Sequence, residues 1–139
     1  MLPENIEHKL ISELKNKFHD ELRSIVLFGS YARGTAQKYS DIDILIILDR
    51  KFTDWTERMN LEIELRKKLY RTVGQVSPKT ASIDELEEAL EGFNPLILII
   101  LDSGLPLFDD GSFNKLKDHF RYIVPGKVVM RKDYWEVVV

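Results

Sequence analysis

Two aspartates one residue apart, Asp41 and Asp43, stand at the head of the apolar run Ile44–Leu48. Residues i and i+2 of a strand point to one face. The two carboxylates therefore face one side, while Ile42 and Ile44 face the other. Close, unpaired carboxylates repel and raise each other's pKa, and a divalent cation removes that penalty. Hard oxygen donors on a small rigid platform suit Mg2+, which takes one or two protein carboxylates and completes its shell with phosphate and water. One apolar run earlier, Ile25–Phe28 ends in Gly29-Ser30. Glycine lets the backbone approach a ligand closely. Serine adds a hydroxyl and, if a short helix follows, free N–H groups. Arg33 and Lys38 lie in the same segment and can meet phosphate charge. A phosphate cradle on one strand end beside a metal platform on the next is what nucleotidyl transfer needs. The metal neutralises the triphosphate, aligns the α-phosphate with an attacking hydroxyl and helps pyrophosphate leave.

Strands and helices must hold those groups in place. Residues 3–21 read as an amphipathic helix, with Pro3 at the first position and Ile6, Leu10, Leu14 and Phe18 recurring every four residues. Ile25–Phe28 reads as a short buried strand, Ser30–Thr35 as a turn or a short helix start, and Asp41–Leu48 as a strand covered on both faces. Thr53–Arg71 carries two apolar rows, Trp55/Met59/Ile63 and Leu61/Leu65/Leu69, which together predict one wide buried face. Gly74–Ala81 reads as a third strand, with Pro78 favouring a sheet edge or a bulge. Ser82-Ile83-Asp84-Glu85 has the form of a capping box that starts a helix to about Glu91, and Gly92 marks its end. Asn94-Pro95 looks like a cap for the apolar segment Leu96–Leu101, which periodicity leaves open as helix or strand. Leu105–Phe108 reads as a strand closed by the turn Asp109-Asp110-Gly111, and Ser112–Tyr122 as a helix. Strands alternating with helices predict an α/β (α+β) domain with a mixed sheet of about four strands flanked by helices.

The bulk numbers bound this reading. A chain of 139 residues with 44% hydrophobic and 31% charged residues fits one globular domain with a real core. The expected division is a domain over residues 1–124 and a C-terminal tail over 125–139, where "WEVVV" and Tyr134 suit docking or pairing. A net charge of −3 argues against a groove for long nucleic acid but not against a small phosphorylated ligand. The chain has no cysteine, so neither a disulfide framework nor a thiolate metal site is available. The start "MLPENIEHKL" lacks an apolar signal core, and Leu96–Leu101 is too short to span a bilayer. A cytoplasmic setting without membrane contact is expected.

Gly29-Ser30, ten residues, then Asp41-x-Asp43 resembles the signature of the DNA polymerase β-like nucleotidyltransferase superfamily. The fuller string "GSYARGTAQKYSDIDILI" is most similar to its minimal nucleotidyltransferases, small domains often paired with HEPN-domain partners in toxin–antitoxin systems. "NPLILIILDSGLPLFD" resembles that family's closing helix and strand, so the likeness covers roughly residues 5–120. The resemblance implies a nucleotidyltransferase fold, ATP or another nucleoside triphosphate as substrate, Mg2+ as cofactor, and a nucleotidyl acceptor on a partner protein. By the same resemblance Gly29 and Ser30 hold the triphosphate, Asp41 and Asp43 bind Mg2+ and carry catalysis, and Arg33 matches a recurrent basic residue. A homo-oligomer stays open.

One departure matters. The superfamily usually places a third carboxylate on the next central strand, and the best-matched position here holds Gln75; no Asp or Glu occurs between Glu64 and Asp84. Ser77 and Lys79 share that face if the strand is regular. Binding survives such a loss more easily than catalysis, so a second reading stands beside the enzyme: a degenerate nucleotide-binding module that regulates a HEPN-type partner by contact. An antibiotic-modifying transferase would need an acidic acceptor pocket, for which the sequence holds no distinct sign. The remaining charged and aromatic residues have ordinary roles. Lys38 reads as a solvated loop cation, Asp54, Glu57, Asp84 and Glu85 as helix-start residues, and His8, His19 and His119 as surface or boundary residues. Trp55, Tyr70, Phe93, Phe108 and Trp135 read as core rather than a base-stacking platform.

Overall fold

The computed structural model describes residues 2–130 and 135–137. A four-stranded mixed sheet lies between two helical layers. Its strands are β1 (Leu22–Phe28), β2 (Ile42–Leu48), β3 (Val76–Ala81) and β4 (Leu105–Asp109), in the order β3-β2-β1-β4. The β1–β2 and β1–β4 pairs are antiparallel and the β2–β3 pair is parallel. The helices are α1 (Glu4–Phe18), α2 (Ser30–Arg33), α3 (Trp55–Thr72), α4 (Ile83–Glu91), α5 (Pro95–Ser103) and α6 (Ser112–Lys127). Beyond α6, β5 (Val128–Met130) and β6 (Trp135–Val137) form a separate antiparallel pair. Tyr134, Val138 and Val139, from the segment expected to dock, lie outside the described residues.

Side-chain alternation in β1 and β2 divides the core in two. Ile25, Leu27, Ile42, Ile44, Ile46 and Leu48 turn to one face, where Leu10, Leu14 and Phe18 of α1 and Leu61, Leu65 and Leu69 of α3 cover them. Val26, Phe28, Leu45 and Ile47 turn to the other, under Leu86 and Leu90 of α4, Leu98 of α5 and Phe113, Leu116 and Phe120 of α6. Fully burying a side chain of this size contributes roughly 1.5–3 kcal/mol, so both helical layers are held mainly by the central strands. Parity places Asp43 on the second face, in line with Leu45 and Ile47, at the start of β2, and Asp41 immediately precedes the strand.

Local signals hold up in detail. Ser82 Oγ accepts from the Glu85 amide while Glu85 answers to the Ser82 amide, a complete capping box. Asp54 Oδ1 caps α3 from 2.8 Å, and Asn94 caps α5, which settles Leu96–Leu101 as helical. Pro78 sits on the edge strand β3. Gly104 closes α5 against β1, where a Cβ would come 2.4 Å from the Ile100 carbonyl oxygen and 2.8 Å from Val26. Helix α6 continues past Tyr122 to Lys127.

One expectation fails. The row Trp55/Met59/Ile63 is not part of a wide buried face: Trp55 is 71% exposed and Ile63 45%. Tyr70, also expected in the core, is 67% exposed. Helix α3 lies over the edge strand, so one leucine row reaches the sheet and the next side of the helix is used for polar contacts to β3. Arg58 Nη1 donates to the Thr80 carbonyl at 3.1 Å, Glu62 accepts from the Thr80 amide at 2.7 Å, and Arg66 donates to Ser77 Oγ at 3.3 Å. The aromatic row is left on the solvent side. No helix among the described residues is long and apolar enough to cross a membrane.

Candidate active site

The site forms where β1 ends and β2 begins. Gly29 leaves β1 at φ +74° and is the N-cap of α2. Ser30 is the first residue of that single helical turn and Arg33 its last, with the Arg33 amide donating to the Gly29 carbonyl at 3.1 Å. Gly34 then ends the turn in the left-handed region. Across the ladder, Phe28 pairs with Asp43, which brings the Asp43 carboxylate over the Gly29 backbone. A Cβ built on Gly29 would stand 2.3 Å from Asp43 Oδ2. The two halves of the sequence motif therefore touch. Glycine is required at position 29 both by its positive φ and by the carboxylate that occupies the space of a side chain.

Asp41 and Asp43 are half-buried. Burial pushes the Asp43 carboxyl above its ordinary pKa, the charge of Asp41 pushes it further, and Lys79 and Arg33 pull it back. This is an acidic pair without enough local compensation, and its donors are hard oxygens. Both properties fit Mg2+, with two protein carboxylates as platform. No group of three or more His, Cys, Asp or Glu side chains gathers as a metal cluster among the described residues.

The parallel β2–β3 register decides what stands beside the pair. Ile42 faces Val76, Asp43 faces Ser77, and Leu45 faces Lys79. Gln75, the sequence match to the third carboxylate, precedes the strand and is exposed; its carbonyl accepts from the Ile42 amide at 2.8 Å. The position next to Asp43 thus belongs to Ser77, whose side chain is as unable as glutamine to act as an anionic ligand. Lys38 is exposed, its ammonium 5.5 Å from the Tyr39 ring, as expected of a loop cation. Beyond Lys79 a groove of about 360 Å³ continues over the same sheet face, lined by Leu45, Ala81, Leu86, Ile97 and Ile100 with Asn94 at the start of α5.

A second cleft, about 430 Å³, lies at the opposite end of the sheet among Arg23, Asp49, Arg50, Phe52, Asp84 and Glu85. Several of its charges are engaged in ion pairs: Arg23 with Asp49 and Asp110, Arg50 with Glu21, and Glu85 with Arg58. The sequence also gave no hint of Asp109. Read as a turn residue, it accepts from the buried Ser24 hydroxyl at 2.7 Å and from the Gly111, Phe113 and Asn114 amides, tying β1 to the start of α6. Its one local sign is the Asp-Asp-Gly that precedes a helix.

Comparison with known proteins agrees with this geometry. The profile described as nucleotidyltransferase domain matches residues 8–104. "Putative protein adenylyltransferase MJ1305" of Methanocaldococcus jannaschii is 38% identical over 114 residues, which cover 80% of this chain and 75% of that protein. The similarly named MJ0604 of the same organism is 37% identical over 89 residues, 64% of this chain and 76% of that protein. Among solved structures, a toxin–antitoxin with AMP-PNP superposes with a TM-score of 0.58 at 20% identity, covering 86% of this chain and 87% of that one. A complex of tri-AMPylated Shewanella oneidensis HEPN toxin with MNT antitoxin gives 0.53 at 20% identity, covering 88% and 86%. These structural likenesses establish a shared nucleotidyltransferase fold.

Proposed function

The chain belongs to the nucleotidyltransferase-domain family, a family of enzymes, and from that premise we propose that it transfers AMP from ATP to a hydroxyl on a partner protein. The observation that carries this reading is the Asp43 carboxylate seated on Gly29, with Asp41, just ahead of β2, close enough for its charge to act on Asp43. The relatives named as protein adenylyltransferases support a protein acceptor, and the neighbours solved with a HEPN toxin support a partner of HEPN type.

In this reading Asp41 and Asp43 hold Mg2+, which supplies positive charge to the triphosphate. Gly29 and Ser30 present backbone N–H groups and a hydroxyl to the phosphates, and Arg33 adds charge from the end of the same turn. The acceptor oxygen attacks the α-phosphorus; the bond from that phosphorus to the α–β bridging oxygen breaks, and pyrophosphate leaves with the electron pair. The acceptor proton passes to solvent, since Ser77 and Gln75 cannot hold it as a carboxylate would.

That missing carboxylate favours one other reading: a module that still binds nucleotide but regulates its partner by contact alone. Calorimetric titration of ATP with and without Mg2+, on wild type and on Asp41→Asn/Asp43→Asn, tests what both readings share. Mg2+-dependent binding lost in the variant supports the site. A mass increase of one AMP on a HEPN-type partner incubated with the chain and MgATP then selects the enzyme, and an unmodified partner selects the module. Absence of binding by the wild type sinks both.

A further inference from the structure

Lys79 stands diagonally across the ladder from Asp43. Asp43 faces Ser77, and Lys79 lies two residues on, on the same face. Ladder spacing separates two such Cα atoms by about 8 Å, a gap that a lysine stem spans. Its ammonium already acts on the acidic pair, being the stronger of the two cations that draw the Asp43 carboxyl down. It also lines the mouth of the groove over Leu45 and Ala81. Among the described residues its side chain makes no hydrogen bond and no ion pair within 4 Å, whereas Arg23, Arg50, Arg58 and Arg66 are all engaged.

The ordinary role of a lysine on an edge strand is to keep other strands from pairing there. Here that task is already met. Pro78 interrupts the donors of β3, and Arg58, Glu62 and Arg66 of α3 cover its outer side. Lys79 lies instead on the sheet face that carries Asp43, near enough for its charge to act on that carboxylate, where a cation is of use once further negative charge arrives.

We infer that Lys79 is a phosphate-binding residue of this site, its ammonium meeting the nucleotide's phosphate oxygens from the β3 side, opposite Gly29 and Ser30. The inference rests on the nucleotidyltransferase reading. The phosphates would then be held from three directions: the α2 turn, the Asp41/Asp43 platform and Lys79.

The test is calorimetric titration with ATP, with Mg2+ and with EDTA, alongside adenosine as a phosphate-free probe, on wild type and on Lys79→Ala, Lys79→Arg and Lys79→Glu. Lys79→Ala is expected to weaken ATP binding by about tenfold or more, the scale of a hydrogen bond to a charged group. Lys79→Glu should weaken it further, Lys79→Arg should restore most of it, and adenosine binding should be the same in all four proteins. Equal melting curves exclude misfolding as the cause, and Lys79→Arg keeps the test decisive should the alanine variant fold poorly. Lys79→Ala binding ATP as tightly as wild type overturns the inference and leaves the functional reading standing. A wild type that does not bind ATP overturns both.

Discussion

Where β1 starts and β2 finishes, three arginines are each held by acids. Arg23 Nη2 lies 2.7 Å from Asp49, and its Nη1 3.3 Å from Asp110. Arg50 grips Glu21 with two bonds, at 2.7 and 2.8 Å. Arg58 joins Glu85, donates to the Thr80 carbonyl and stacks 4.4 Å from the Phe52 ring. At the far end of the same strands, Asp43 is half-buried beside the charge of Asp41, with only partial relief from Lys79 and Arg33. Both ends have clefts and both are rich in charge. At the Asp43 end the fold leaves a carboxyl raised by burial and by a neighbouring acid, whereas at the other end the carboxyl of Glu85 is drawn down by its partners. The difference separates electrostatics that support the fold from electrostatics kept for a ligand.

The comparison breaks most visibly at Gly29. Gly29→Ala forces a Cβ into the Asp43 carboxylate and strains a positive φ. It should lower Mg2+-dependent ATP binding by about 100-fold and destabilise the fold by about 1–3 kcal/mol; titration calorimetry and urea unfolding measure the two effects. Binding at wild-type strength would disprove the contact between the motif halves. Arg58→Ala probes the other end. It should cost about 1–2 kcal/mol of stability through its lost hydrogen bonds and ring contact, while ATP affinity stays unchanged. Loss of ATP binding there would show that the paired end is not purely structural.

Two smaller effects sharpen the contrast. Ser77→Asp places an acid directly beside Asp43 in the observed register, and should raise Mg2+ affinity, by about tenfold or less, in a direct metal titration. Gln75→Asp, two residues further out and ahead of the strand, should do less. The reverse order would mean that the β2–β3 register is shifted. Acid separates the two ends by sign. Burial and Asp41 raise the folded pKa of Asp43, so its ionised form opposes folding at neutral pH, a cost relieved as pH falls through that raised pKa. Asp43→Asn should therefore melt slightly higher than wild type at pH 7, with the gain vanishing in acid. Burial also pushes Glu85 up, but the Ser82 amide, Arg58 and the Ser82 hydroxyl outweigh it and leave its pKa below the ordinary value. Its contribution is present at neutral pH and lost as pH falls through that depressed pKa. Glu85→Gln should thus melt below wild type at pH 7, by about 1 kcal/mol or less, and converge with it in acid. Thermal melts of both variants across pH should move in opposite directions.

Much of this was legible in order along the chain. The caps of α3, α4 and α5 and the capping box at Ser82 all follow from contacts within a few residues, where residue type and spacing suffice. The exposed row of α3 departs from the expectation because periodicity reports that a face is apolar, not whether anything covers it. Trp55, Met59 and Ile63 repeat as regularly as Leu61, Leu65 and Leu69. What distinguishes them is that α3 sits over the last strand of the sheet, where a second buried row has nothing to meet.

By itself, then, the sequence determined the elements, the motif and the chemistry its residue types permit, because backbone period and side-chain ionisation are local properties. Only the tertiary structure decided that Asp43 rests on Gly29, that Ser77 rather than Gln75 flanks it, and that Lys79 faces the acids across the ladder. Those facts depend on register between strands many residues apart. Register is chosen by how two apolar faces pack beneath two helical layers, and a one-residue slip would turn every side chain of β3 to the opposite face.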